Sequence, residues 1–341
     1  VNVRRILYKG ALHAVKPFII IGRKAPSEIK RIANRRAIVS GVISLDGQRH
    51  FIGDTNEHTL FRTASLTKLV TALGVMKSGI NLDAPLSPLT GLPLKNITLR
   101  QLMSHTSPLY DGEAYERSLA HPIPLDILLK SPTVWKKEEG FRYSNFGFGI
   151  VGSVLEAVMG ESLEKYMQRT VFMPLNLNCT YDITAIPFAK NIYRLVPPKK
   201  EFNFSERKKK ASPILSADPL RHFTLAAGNL FADTASLEKV LALLISNDGS
   251  FINKEAITQM KTIHAEYGVQ SPNLAYGLGF LIVRGKETLY GHQGFAYGCV
   301  NGMFFSEESG KALVSLNNGA DEMRSGRMGH LNQELIDWGF S

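Results

Sequence analysis

The sequence predicts an α/β plus all-α protein in which both chain ends build a sheet and the middle is helical. Three observations support this. Segments rich in β-branched and aromatic residues gather near the start and in the last third. Apolar residues at helical spacing fill the centre between them. The 341 residues also exceed what one core usually encloses, so two lobes with interleaved connectivity are expected.

In chain order, residues 27–36 follow Pro26 as a short helix. Residues 37–43 and 48–52 flank Asp46-Gly47 and read as a hairpin with a four-residue connection. Residues 65–77 repeat Leu66, Leu69, Val70, Leu73 and Met76 at helical spacing, and Gly79 can end that helix. A proline-containing loop and short helices over 99–105 and 125–129 come next. A helix pair over 146–159 and 163–171 follows, divided by Gly160. Residues 186–220 are polar, basic and proline-containing, and read as a long irregular excursion. Helices over 236–245 and 254–261 lead to successive strands over 276–283, 287–290, 299–305 and 312–316. The chain ends in a helix over 329–338.

Hydrophobic residues make up 44% and charged residues 21%, which argues against disorder and fibrous repeats. Net charge is +10, partly from Lys199, Lys200 and Arg207 to Lys210. Such a run reads first as a solvated loop, and second as a contact for an anionic partner such as cell-wall polymer. No zinc-finger spacing or RRM-type motif is present, so no nucleic-acid partner is expected. Cys179 and Cys299 lack metal-ligand spacing and read as buried thiols, with one disulfide as the alternative. No stretch reaches transmembrane length, and residues 1–24 do not form a signal-type apolar run. A chain beginning at Val1 reads as processed or trimmed, so a missing signal peptide says little about export.

Three local patterns carry chemistry. A serine needs a nearby base and a pocket for its developing oxyanion, and Ser-x-x-Lys at a helix start supplies both. The pattern occurs at Ser27, Ser65, Ser162, Ser205 and Ser236. Capping accounts for Ser27, Ser162 and Ser236, and Ser205 lies in the basic loop. Ser65 stands out because the residues between it and Lys68 carry no charge, leaving the lysine without an adjacent carboxylate. Tyr143-Ser144-Asn145 is the chain's only Tyr-x-Asn, placed just before a helix. Its phenol could pass a proton to a leaving group, while its amide holds the lysine and a substrate carbonyl. His292-Gln293-Gly294 lies on a late strand, where a glycine admits a close substrate backbone. The Phe295 and Ser65 N–H groups could then form an oxyanion hole. Taken singly, Tyr143 reads as a packed ring and His292 as a hydrogen-bonded core histidine. Together, and in this order, the three patterns point to an acyl-enzyme serine hydrolase.

In that order and context the chain resembles the penicillin-recognising serine hydrolases: class C β-lactamases, D-alanyl-D-alanine carboxypeptidases, and their esterase and D-amino-peptidase relatives. The likeness extends over residues 61–69, 97–107, 143–152, 173–176, 226–230 and 276–280. It implies a β-lactamase/penicillin-binding-protein-like fold, an antiparallel sheet flanked by helices with an inserted helical lobe. The expected lobes are residues 1–62 with 235–341, and residues 63–234, with the site in the cleft. The implied roles are Ser65 as nucleophile, Lys68 and Tyr143 as general base and acid, and Asn145 as partner of substrate and lysine. His292, Gln293, Gly294 and Phe295 would border the substrate. With no paired His or Cys at metal spacing, no metal and no cofactor are expected, and the resemblance favours a periplasmic or extracellular setting. The expected substrate is a β-lactam, D-amino-acid peptide or ester, with a carboxypeptidase-like activity foremost. A class C type β-lactamase, an esterase or D-amino-peptidase, and a non-catalytic sensor on the same scaffold are the alternatives. True β-lactamases usually carry lysine at the position of His292 and Thr or Ser at that of Gln293. Pro108 and Glu139 also depart from the family pattern. No Gly-x-Ser-x-Gly, P-loop or His-Glu-x-x-His motif occurs.

Overall fold

The computed structural model describes residues 26–136, 138, 140–186, 208–269, 271–296 and 298–341. The readings of residues 1–24, Lys199, Lys200, Arg207, Ser205 and Glu139 lie outside the described residues. Helix α1 (Ser27–Arg35) comes first. Strands β1 (Ser40–Leu45) and β2 (Gln48–Ile52) then form the expected hairpin, with one correction. Leu45 pairs with Gln48, so the connection is two residues rather than four. Asp46 and Gly47 both have positive φ, 50° and 78°, as a type I′ turn requires.

Three short strands, β3 (Phe61–Arg62), β4 (Cys179–Thr180) and β5 (Phe231–Ala232), make a small sheet that the sequence did not signal. Between them lie α2 (Leu66–Lys77), α3 (Asn145–Met159) and the four-residue α4 (Leu225–Gly228). Helix α5 (Thr234–Ser246) follows. Strands β6 (Ala265–Glu266), β7 (Leu274–Tyr276) and β8 (Leu281–Arg284) are succeeded by β9 (Thr288–Ala296), β10 (Cys299–Ser306) and β11 (Ala312–Asn318). The predicted strand over 276–283 is thus two strands, divided by a turn with Gly279 at φ 76°. A small hairpin of β12 (Arg324–Ser325) and β13 (Met328–Gly329) precedes α6 (His330–Gly339).

The main sheet is antiparallel, in the order β2–β1–β11–β10–β9–β8–β7–β6. The first hairpin docks on the last long strand, which joins the two chain ends in one sheet. Alternation along β10 decides its two faces. Val300 and Phe304 join Ile29, Ile32, Leu331 and Leu335 under α1 and α6. Met303 and Phe305 join Leu69, Leu73, Leu237 and Val240 under α2 and α5. The second core continues into the helical region through Leu102, Phe148 and Val151. Cys179 and Cys299 are buried free thiols in different sheets. Among the described residues no single helix is long and apolar enough to cross a membrane.

One buried carboxylate fastens the helical region. Glu156, in α3, accepts hydrogen bonds from the Leu163 and Asp218 N–H groups, both at 2.8 Å, and pairs with His222 Nδ1 at 2.7 Å. Burial opposes a charge on His222, but Glu156 outweighs it and raises the imidazole above its ordinary 6.5. The pair's contribution to stability is therefore complete below about 6.5 and is lost as pH rises through the higher folded-state value. Thermal unfolding followed from mildly acidic to mildly alkaline pH should show this decline. His222→Gln should flatten it, and an unchanged decline in that variant would remove His222 as its cause.

Candidate active site

Strand β3 reaches Ser65 through Thr63 and Ala64. Ala64 has φ 51°, the left-handed region that a Cβ disfavours. This kink turns the strand into α2 and makes Ser65 the helix N-cap. Serine caps normally accept a backbone N–H, yet the Ser65 side chain makes no capping hydrogen bond. Its hydroxyl meets Lys68 Nζ at 3.0 Å, one turn along the same face.

The other Ser-x-x-Lys copies that the structure describes are used differently. Ser162 caps its helix by accepting Lys165 N–H, as expected. Ser27 and Ser236 do not cap, which corrects the sequence reading. Pro26 and Asp233 hold those positions. Ser236 sits in the first turn, its Oγ taken by the Asn178 N–H at 2.8 Å.

Lys68 is fully buried. Its Nζ has three neighbours: Ser65 Oγ at 3.0 Å, Asn145 Oδ1 at 2.9 Å and the Ala227 carbonyl at 2.6 Å. Asn145 opens α3 and Ala227 lies in α4, so segments distant in sequence converge on one nitrogen. Two of the three neighbours can only accept. A neutral amine has two N–H bonds and one lone pair. Spending both bonds on those oxygens leaves the lone pair for the Ser65 hydroxyl proton. Burial lowers Lys68 to about 7, against the opposing charge of Asp111 and with help from Arg62.

Tyr143 lines the same cavity as Ser65, and Lys68 Nζ stands 5.0 Å from its ring centre. Burial holds this phenol well above its ordinary value, and the nearby Ser65 hydroxyl offsets only part of the rise. Tyr143 is therefore protonated at neutral pH. Asp111 organises the neighbouring residues. Its Oδ1 accepts Ser144 Oγ at 3.0 Å and the Phe146 N–H at 2.8 Å, while Oδ2 accepts Asn145 Nδ2 at 2.8 Å. His105 packs its ring 4.3 Å from that of Tyr143, and its Nδ1 accepts the Ser144 N–H at 3.2 Å.

In the third pattern His292 is the hydrogen-bonded core histidine that it reads as when taken singly. His292 Nε2 pairs with the Tyr276 hydroxyl at 2.7 Å, and Nδ1 with the Gln293 carbonyl at 2.6 Å. Only an Nδ1–H tautomer satisfies both, because the carbonyl cannot donate. Burial, helped by the nearby Lys68 charge, lowers His292 to about 3, so it brings no cation to the site. The Gln293 amide reaches the Arg327 carbonyl at 2.7 Å and accepts the Gly329 N–H at 3.1 Å. Gly294 admits the protein's own chain: a Cβ there would lie 2.5 Å from Thr63 O and 3.0 Å from Ser65 N. Gly294 thereby seats β9 against the start of α2, while His292 and Gln293 line a cavity that also reaches Ser65 and Tyr143.

Ser65 and Phe295 border two cavities. One, of about 430 Å³, is walled by Tyr115, Leu119, Ile123 and Phe223, with Arg62 and Arg221. The other, of about 290 Å³, holds Tyr143, Tyr267, Arg324 and Arg327. Sequence reasoning missed Asp111, Tyr276, Arg324 and Arg327. Asp111, Arg324 and Arg327 stand in none of the three sequence patterns that carry chemistry. Among the described residues no group of three His, Cys, Asp or Glu side chains could hold a metal.

The chain belongs to the beta-lactamase family, whose model matches residues 30–336. Over 137 residues it is 29% identical to Penicillin-binding protein 4* of Bacillus subtilis (strain 168), covering 36% of this chain and 30% of that protein. It is 25% identical over 287 residues to a probable fimbrial assembly protein, FimD of serogroup H1, from Dichelobacter nodosus. That match covers 75% of this chain and 65% of the relative. The chain thus spans less than two thirds of the length of these curated relatives. Among solved structures it is similar to a D-stereospecific amidohydrolase from Streptomyces sp., with TM-score 0.66, 21% identity and 98% of both chains covered. It is also similar to the D-amino acid amidase from Ochrobactrum anthropi SV3 complexed with D-phenylalanine. There the TM-score is 0.66 at 20% identity, covering 97% of this chain and 98% of that one. The octameric penicillin-binding protein homologue from Pyrococcus abyssi aligns with TM-score 0.66 at 22% identity, covering 92% of this chain and 76% of that one. At these identities the likeness establishes the fold, which is the β-lactamase/penicillin-binding-protein-like fold expected from the sequence.

Gly294→Ala should push the start of α2 away from β9. Labelling of the protein by a fluorophosphonate should then fall well over tenfold, with a lower melting temperature. Labelling at the wild-type rate would show that this contact does not position Ser65.

Proposed function

We propose that the chain is a serine hydrolase that acylates Ser65, with a carboxypeptidase-like preference for amides whose leaving group carries a carboxylate. One observation supports the mechanism above the rest: a buried amine within hydrogen-bond distance of two oxygens that can only accept and of the Ser65 hydroxyl. Neutral Lys68 takes the Ser65 proton as Oγ attacks the substrate carbonyl. The Ser65 and Phe295 N–H groups receive the oxyanion. Protonated Tyr143 then gives its proton to the departing nitrogen and recovers one from Lys68. Water attacks the acyl-enzyme by the same route in reverse.

This route also orients the substrate. Tyr143 lines the smaller cavity and not the larger. The leaving group must lie beside the phenol that protonates it, so it occupies the smaller cavity. The acyl portion then faces Tyr115, Leu119, Ile123 and Phe223. Arg324 and Arg327 on the leaving-group side suit a carboxylate, a task that neutral His292 cannot perform. The structural neighbours' names favour a second reading, a D-amino acid amidase, whose leaving group is ammonia and has no carboxylate to bind.

Intact-protein mass spectrometry against penicillin, a peptide ending in D-Ala-D-Ala, the same peptide amidated, and a short-chain ester tests the proposal. A transient Ser65 adduct is expected, absent in Ser65→Ala. An adduct that forms but never decays would make the chain a binder, and turnover by Ser65→Ala would end the mechanism. Lys68→Ala should slow acylation by about 10²–10⁴-fold. The wild-type rate should climb as pH rises through about 7 and then level, because the neutral amine is the active form.

Arg324→Ala with Arg327→Ala should cost about ten- to a hundredfold in kcat/KM for the free-acid peptide and little for the amidated one. Equal losses on both would favour the amidase reading.

A further inference from the structure

We propose that Asp111 is the positioning residue of this site: its carboxylate holds the Asn145 amide in one orientation and controls how readily Lys68 gives up its proton. The inference rests on the reading of Lys68 as the base. A carboxylate can only accept, so the amide atom facing Asp111 Oδ2 at 2.8 Å must be Asn145 Nδ2. That assignment turns Oδ1 toward Lys68 Nζ, 2.9 Å away. The other Asp111 oxygen fixes the turn before α3 through Ser144 Oγ and the Phe146 N–H. One side chain thereby sets three successive residues, 144 to 146, and faces the smaller cavity.

The same carboxylate is the negative charge acting on Lys68. The groups around the amine are Asp111 from the loop just before the short helix Glu113–Ser118, Arg62 from β3, Tyr143, His105 and His292. Both histidines are held below their ordinary value, first by burial and then by the Lys68 charge, and Tyr143 is held above its own. Near neutral pH this leaves Asp111 and Arg62 as the charges that decide the Lys68 equilibrium, and they oppose each other. Without the Asp111 charge, burial and Arg62 act unopposed and the ammonium is lost at lower pH.

Asp111→Asn adds a second effect of the same sign. Its amide would face Asn145 with a donor, turning Asn145 over so that Nδ2 points at Lys68. A donor there disfavours the ammonium further.

The test is a lysine titration that needs no substrate. Protein carrying ¹³Cε-lysine is titrated by NMR, with the Lys68 signal identified by its loss in Lys68→Arg. In Asp111→Asn the Lys68 midpoint should fall by about one unit or more. In Asp111→Glu, which keeps the charge and changes the shape, it should stay near wild type. A purely structural brace predicts the reverse order, because Asn matches the shape of Asp better than Glu does. An unmoved midpoint in Asp111→Asn, or a fall in Asp111→Glu as large as that expected for Asn, overturns the proposal, and either variant alone decides. The acid limb of Ser65 labelling should move down with the NMR midpoint. If wild type is never labelled, the hydrolase reading fails while the titration still decides the role of Asp111.

Discussion

An amine sealed from solvent with three oxygens around it is the constraint from which the rest of this site follows. Lys68 has no exposed surface, so its positive form lacks water and its hydrogen bonds must come from the protein. The three that it has come from the start of α2, the start of α3 and the end of α4. No single helix could provide that enclosure. The fold meets at this nitrogen because several elements that would otherwise be independent are each fixed by it.

The residues around the enclosure keep it in register. Thr67 Oγ1 accepts the Leu230 N–H, Thr63 N–H reaches the Leu230 carbonyl at 2.9 Å, and Arg62 holds Asn229 Oδ1 at 2.8 Å. These bonds keep the segment after α4 tight against the start of α2. On the other side, Asn301 Nδ2 donates to the Arg62 carbonyl at 2.9 Å, so β10 also grips the approach to Ser65. Ala64 at φ 51° is the local strain that this framework holds in place, a cost on the order of 1 kcal/mol.

Much of this was legible in the sequence because it is local. Helical spacing located α2 and α3, and Asp46-Gly47 located the first turn, although counting strand ends by composition set its length wrong. Ser65, Lys68, Tyr143 and Asn145 come together as their patterns suggested, since each pattern fixes its own residues relative to a helix start. Long-range pairing was not legible. Nothing near Asp111 signals that it will meet Asn145, 34 positions later. Nor does His-Gln-Gly state whether its glycine makes room for a ligand or for the chain itself. The same limit hid β3, β4 and β5, whose two-residue strands carry no periodicity to detect.

The apolar core beneath the groove has a mechanical consequence. Leu69 and Leu73 of α2, Phe148 of α3, Met303 and Phe305 of β10 and Val314 of β11 belong to one continuous packed cluster. Parting the helical side from the sheet would expose these side chains to water, at about 25 cal/mol for each Å² uncovered. That cost opposes any parting of the two sides, so the cavities beside Ser65 are bounded by walls that share one packed core.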